Sequence, residues 1–278
     1  MTNMRKWKYV APILLSVAIA ACNENTDSVS VPPSNADVTQ ASGDVNNIQT
    51  AIDDFVAAFG GANNGGDPVS VADGFRSINW DAIPDGASAP TFLPGDFFNF
   101  TDAPRARGAL FAEPGESEAP IEDLFLVSAN ATNPTNTPNE FGNFNAEYPN
   151  LFATFSAERL FAYTDTDDTT FDIIFFVPGT TTPAGVTGFG AVFTDVDEED
   201  ETTLEYFDES GASLGEFVVP VSGGDEGLSF LGVTFDDTTV ARVRVTVGSQ
   251  PVALGDADDT TGDVVVMDDF LYSEPQAL

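Results

Sequence analysis

The run Val240-Ala241-Arg242-Val243-Arg244-Val245-Thr246-Val247 decides the fold class. Side chains alternate across a β-strand. Ala241, Val243, Val245 and Val247 therefore share one face, and Arg242, Arg244 and Thr246 share the other. Outward from this strand the chain continues as short apolar runs separated by clusters of Asp, Gly, Pro and Thr. Strands are predicted at 75–80, 108–112, 124–128, 151–155, 159–163, 171–177, 187–196, 203–207, 214–219, 228–235, 240–247 and 264–272. Turns such as Asp208-Glu209-Ser210-Gly211 and Ser222-Gly223-Gly224-Asp225 suit hairpins. About a dozen such strands indicate an all-β sandwich or barrel. No second composition regime follows residue 70, so the strands belong to one domain.

The chain has the material for a core. It carries 24 phenylalanines and a single cysteine, so stability comes from packing or bound ions and not from disulfides. Ahead of the strands lies one helix signal. Ile48, Ile52, Phe55, Val56 and Phe59 recur at helical spacing, with Ser42 or Asp44 available as the cap and Gly60-Gly61 as the stop. The domain plan is a docked helix over 44–61 and a β-sandwich over 62–278. Residues 22–43 are polar, contain Pro and Ser, and have the composition of a flexible tether.

Residues 1–21 have the order of a secretory signal: basic Arg5, Lys6 and Lys8, then an apolar stretch over 9–21 ending in small residues. The apolar stretch falls short of the ~20 residues a membrane span requires. Without this segment the chain keeps six arginines, no lysine and no histidine against 45 acidic residues, a net charge of −39. A histidine triad, histidine-ligated zinc or haem, and a catalytic lysine are thereby excluded. Nucleic acid is excluded as a partner by like-charge repulsion. Such acidity keeps a protein soluble but strains its compact state, a strain that salt or divalent cations relieve.

The ending Ile19-Ala20-Ala21-Cys22 resembles the lipobox of bacterial lipoproteins. That resemblance implies acylation of Cys22, export, and permanent tethering to the cell envelope, since two or more acyl chains anchor stably. Asn23 in the following position leans toward the outer membrane or cell surface in a Gram-negative cell. Other stretches are similar to a widespread group of secreted bacterial β-sandwich proteins. They are Gly188-Phe189-Gly190-Ala191-Val192-Phe193-Thr194-Asp195-Val196-Asp197, Leu204-Glu205-Tyr206-Phe207-Asp208, Gly227-Leu228-Ser229-Phe230-Leu231-Gly232 and Val265-Val266-Met267-Asp268-Asp269-Phe270-Leu271-Tyr272. Phe75-Arg76-Ser77-Ile78-Asn79-Trp80-Asp81 and Leu93-Pro94-Gly95-Asp96-Phe97-Phe98-Asn99 fit the same group. The closing Asp268-Asp269-Phe270 also resembles the last strand of jelly-roll carbohydrate-binding modules. The expected fold is thus all-β, a jelly-roll-type β-sandwich with one short N-terminal helix.

On a strand over 264–272, either Asp268 or Asp269 must lie among apolar side chains. A buried carboxylate needs a partner. The candidates are an arginine, namely Arg76, Arg242 or Arg244, or a metal ion. Calcium suits carboxylate and carbonyl oxygens, and the expected structural site comprises Asp81 with Asp268 or Asp269. The acidic runs at 165–168, 195–201 and 256–259 invite a calcium reading but lack the EF-hand pattern; most read as solvated turns, with weak, nonspecific cation binding as the alternative. Beyond the signal, Trp80 is the only tryptophan, beside Tyr148, Tyr163, Tyr206 and Tyr272. Trp80 sits in a predicted strand and reads as core, not as a sugar platform.

The functional expectation is an exported, lipid-anchored, non-enzymatic β-sandwich with a binding or structural role at the cell envelope. A glycan is the candidate partner and structural calcium the candidate ion. The alternative is a carboxylate-dependent glycoside hydrolase, which requires two acids ~5–10 Å apart in an aromatic-lined groove.

Overall fold

The computed structural model describes residues 35–115, 119–253 and 262–278. The expected signal over 1–21, Cys22 and the first part of the expected tether lie outside the described residues. In chain order the elements are β1 (Ala36–Gly43), α1 (Val45–Ala57), β2 (Phe75–Ile78), β3 (Ala109–Ala112), β4 (Phe125–Val127) and α2 (Tyr148–Leu151). They continue with β5 (Phe161–Tyr163), β6 (Thr170–Phe175), β7 (Ala184–Gly185), β8 (Gly188–Thr194), β9 (Thr203–Phe207) and β10 (Ser213–Val218). The last are β11 (Leu228–Phe235), β12 (Arg242–Thr246), β13 (Val266–Ser273) and β14 (Gln276–Ala277).

Two antiparallel sheets form the sandwich. One runs β1-β11-β8-β13-β5-β4, with β2 also paired to β13, and the other runs β10-β9-β12-β6-β3. From β5 to β13 the chain changes sheet at nearly every connection. The central orders β11-β8-β13-β5 and β10-β9-β12-β6 are those of a jelly roll, two Greek keys wrapped together. Strand β12 behaves as its alternation predicts: Val243 and Val245 are fully buried, while Arg242 and Arg244 reach outward. Between the sheets lies an aromatic stack. Trp80 lies flat on Phe161, 4.2 Å between centroids, and meets Phe270 and Phe98 edge-on. Each such ring contributes about 1.5–3 kcal/mol by burial.

Strands β8 and β11 are buried along their whole lengths but for Thr234, because their sheet is covered on both faces. Helix α1 takes the outer face, setting Ile48, Ile52 and Phe55 against Val192, Phe230 and Leu271. The Phe55 ring rests on a patch without side chains. A Cβ on Gly232 would come within 2.6 Å of that ring, and one on Gly190 within 3.0 Å. The helix begins at Asp44, whose carboxylate accepts the Asn47 amide at 3.0 Å, so Asp44 and not Ser42 is the cap.

Two expectations are corrected. The tether does not extend to residue 43, because Ala36–Gly43 is a strand paired residue for residue with β11. An edge strand draws its stability from the backbone ladder, so its polar composition carries no warning of it. Residues 151–155 are not a strand either. Pro149 opens the short helix α2, and the amides of Ala153 and Phe155 are spent on side chains of Thr194 and Asp268.

A buried ion pair ties the long loop after α1 to the sandwich. Arg76 on β2 donates Nε and Nη2 to Glu274 at 2.7 and 2.8 Å. Its remaining protons go to the carbonyls of Gly65, Asp67, Val69 and Ala106. On the outer face of the second sheet, buried Asp172 accepts from Arg242, Arg244 and the Gly115 amide.

Candidate functional site

Beyond β2 the chain turns at Trp80, held at φ +62°, a region that residues other than glycine occupy mainly in turns. Stacking on Phe161 and an indole N–H bond to the Asp268 carbonyl, 2.8 Å, hold it there. The turn leaves a cleft of about 330 Å³ between residues 78–84 and the segment 97–107. It is lined by the apolar Ile78, Ile83, Phe97 and Phe98 together with Arg105 and Arg107. The far wall is fixed by backbone bonds: the amides of Arg107 and Ala109 both donate to the Phe98 carbonyl, and the Tyr272 hydroxyl donates to that of Arg107.

The electrostatics of this cleft are unlike those of the rest of the chain. Arg76, Arg159, Arg242 and Arg244 each pair with a carboxylate. Among the described residues, Arg105 and Arg107 are the two arginines without such a pair, and both line the cleft. The Arg105 guanidinium lies over the Phe100 ring, 3.4 Å from its centroid, and 4.7 Å from that of Phe97. Arg107 donates one Nη to the Ser77 carbonyl, while its buried Nε–H has no acceptor. Burial pushes the Arg107 guanidinium below its usual pKa, and the nearby Arg76 charge adds to this. The group stays protonated nonetheless. A chain of net charge −36 thus keeps an apolar cleft lined by two positive groups. No carboxylate is among the residues that line it.

The expected site at Asp81, Asp268 and Asp269 is brought together only in part. Asp268 is fully buried, and neither an arginine nor a shared cluster of three carboxylates meets it. Arg76 is taken by Glu274, and Arg242 and Arg244 by Asp172. Asp268 instead accepts the amides of Phe155 and Ser156, at 2.7 and 3.1 Å. The Ser156 hydroxyl lies 3.1 Å from Asp268 Oδ1 and 2.7 Å from Asp269 Oδ1. One hydroxyl proton cannot serve two carboxylates, so the arrangement is satisfied when one of the pair carries a proton of its own. Burial accordingly raises the pKa of both acids, with the Asp269 charge adding to the shift of Asp268. Asp81 stands beside them. Its carboxyl is pushed up to about 6 by burial first and the Asp269 charge second, although Arg159 pulls the other way.

A different group of acids comes together among loops that sequence reading assigned to solvated turns. Oxygens of Asp195, Asp197 and Asp225 lie within 4.8 Å of one another. Asp195 is buried at the end of β8, and the other two are exposed. Asp263 braces this loop by accepting the amides of Asp197 and Glu198, each at 3.3 Å. These three carboxylates could hold a metal ion. Asp195 and Asp197 fall in an acidic run that the sequence itself marks, but Asp225 lies thirty residues from Asp195, so only the fold joins it to them.

Trp80 and the four tyrosines are buried, so none forms an exposed ring platform of the kind that stacks on sugars. Cys22 lies outside the described residues. Among those described, no helix is long and apolar enough to cross a membrane. No known family model, curated protein or solved structure matches the chain.

Proposed function

We propose that this chain is an exported, lipid-anchored jelly-roll protein, related in architecture to carbohydrate-binding modules, that binds a small ligand at the cell envelope without transforming it. The observation that carries this reading is the cleft itself: about 330 Å³, walled by apolar side chains, with a few convergent polar groups. Its polar groups include guanidiniums and the Asn79 side chain but no acid, which favours binding over glycoside hydrolysis. The absence of an exposed tryptophan or tyrosine platform among the described residues directs the ligand to this cleft and away from a stacked glycan. The lipobox-like Ile19-Ala20-Ala21-Cys22 supports the anchor.

The carboxylates Asp195, Asp197 and Asp225 support a structural ion as part of the same reading, and their all-oxygen donor set suits a hard divalent cation such as calcium. The cleft is tested with Ala82→Trp, an exposed lining position where a large ring plugs the opening without entering the core. Wild type and variant are equilibrated with a small-molecule extract of cells, and bound species are read by mass spectrometry. Species enriched by the wild type and lost from the plugged variant are expected; identical profiles would reject the cleft. Labelled palmitate incorporated by the wild type and not by Cys22→Ser tests the anchor.

A further inference from the structure

Arg105 and Arg107 stand apart from the other basic groups of the described residues in lacking a carboxylate within ion-pair distance, although acids outnumber bases five to one in the chain (45 to 9). In so acidic a chain, two guanidiniums lining one cleft, with no acid among its described lining residues, form a local reversal of the field. Arg105 has no hydrogen-bond partner among the described residues for its guanidinium, which rests only on aromatic faces. Among the described residues Arg107 gives only one Nη to the fold, to the Ser77 carbonyl, which leaves its other Nη for a ligand. Two guanidiniums that line one cleft, neither paired with a carboxylate, are a receptor for an anion, because an anion neutralises them and accepts their free protons at once.

The rest of the cleft sets the remainder of the ligand. Ile78, Ile83, Phe97 and Phe98 offer no hydrogen bonds from their side chains, and the Asn79 amide donates to Asp81, so the part of the ligand beyond the anion is apolar. A volume of about 330 Å³ holds about eleven groups the size of water, each occupying ~30 Å³. The net charge of −36 also selects a singly charged ligand, since every further negative charge increases the long-range repulsion on approach. Resting on the cleft reading above, we propose that the cleft receives a small monocarboxylate with an aromatic or aliphatic body, the carboxylate on Arg105 and Arg107 and the body between Ile83 and Phe98.

The test uses the full chain and isothermal titration with four probes: 3-phenylpropanoate, its neutral amide, acetate, and glucuronate. 3-Phenylpropanoate is expected to bind, the amide and acetate at least about tenfold more weakly. Arg105→Gln should weaken the acid about tenfold and leave the amide unchanged. Its guanidinium is half-exposed and bonded to nothing in the fold, so this variant remains folded. Arg107→Lys, which keeps the charge and loses the fork, should also weaken the acid, and Ala82→Trp should abolish binding. Equal affinity for acid and amide, or no effect of Arg105→Gln, would leave a binding cleft but overturn the anion. Preference for glucuronate over 3-phenylpropanoate would overturn the apolar body. If no probe binds, or if Ala82→Trp leaves binding intact, the proposal and its cleft fall together.

Discussion

Replacing Glu274 with Gln changes one heavy atom and removes the carboxylate that pairs with Arg76. Both side chains are shut off from water, at 0 and 1 % exposure, and are joined by two bonds of 2.7 and 2.8 Å. Breaking a buried pair from one side leaves an uncompensated charge, which destabilises by about 3–5 kcal/mol. That is on the order of a third of the 5–15 kcal/mol that holds a domain together. For a domain of this size it lowers the melting temperature by about 10 °C. Equilibrium urea unfolding, followed by far-ultraviolet circular dichroism at neutral pH, measures the loss. An apolar pair, Arg76→Met with Glu274→Leu, separates two ideas. Were the charges merely a pair, the apolar version would restore stability. But Arg76 also supplies the carbonyls of Gly65, Asp67, Val69 and Ala106, and an unpaired buried carbonyl costs about 1–3 kcal/mol. The double variant should therefore stay at least about 2 kcal/mol below wild type. A loss under about 1 kcal/mol for Glu274→Gln, or full recovery in the double variant, would refute the view of Arg76 as the clamp of this loop.

The raised pKa of Asp81 gives a second prediction. A carboxyl whose folded pKa, about 6, exceeds its unfolded value near 3.8 destabilises once it ionises, so its penalty is absent below ~4 and grows as pH rises through 6. With chelator present, Asp81→Asn should gain about 1 kcal/mol at pH 7.5, after discounting for solvent screening, and nothing at pH 4; equal shifts at both pH values would contradict it. Calcium at a hundredfold excess over its dissociation constant should add about 2.7 kcal/mol. This would appear as a rise in melting temperature that excess chelator reverses and Asp225→Asn diminishes; a melting temperature indifferent to chelator would dismiss the ion. Gly232→Ala should cost about 1–3 kcal/mol, because its Cβ would stand 2.6 Å from the Phe55 ring. Phe55→Leu combined with Gly232→Ala should regain part of that loss, and additivity of the two would exclude the clash.

Strand periodicity, turn composition and the abundance of phenylalanine were enough to specify an all-β sandwich, since alternation such as Val243/Val245 against Arg242/Arg244 is a local property of the backbone. The helix over Val45–Ala57 was equally legible, because apolar spacing and a capping Asp44 are local too. β1 was not, because its polar residues are held by a ladder to β11 that lies nearly two hundred positions away in the chain. Nor was the partner of Asp268. Its strand dictated that the acid be buried, but the amides of Phe155 and Ser156 come from a loop whose path only the packed sandwich defines. Arg105 and Arg107 looked ordinary in the chain. Their distinction is the missing carboxylate, and whether an arginine has one depends on which side chains the fold brings near it. Composition and local pattern thus determined the architecture and the acidity, and set the expectation of export. Tertiary structure alone decided which charges meet, because ion pairs and clefts form between residues that the sequence keeps far apart.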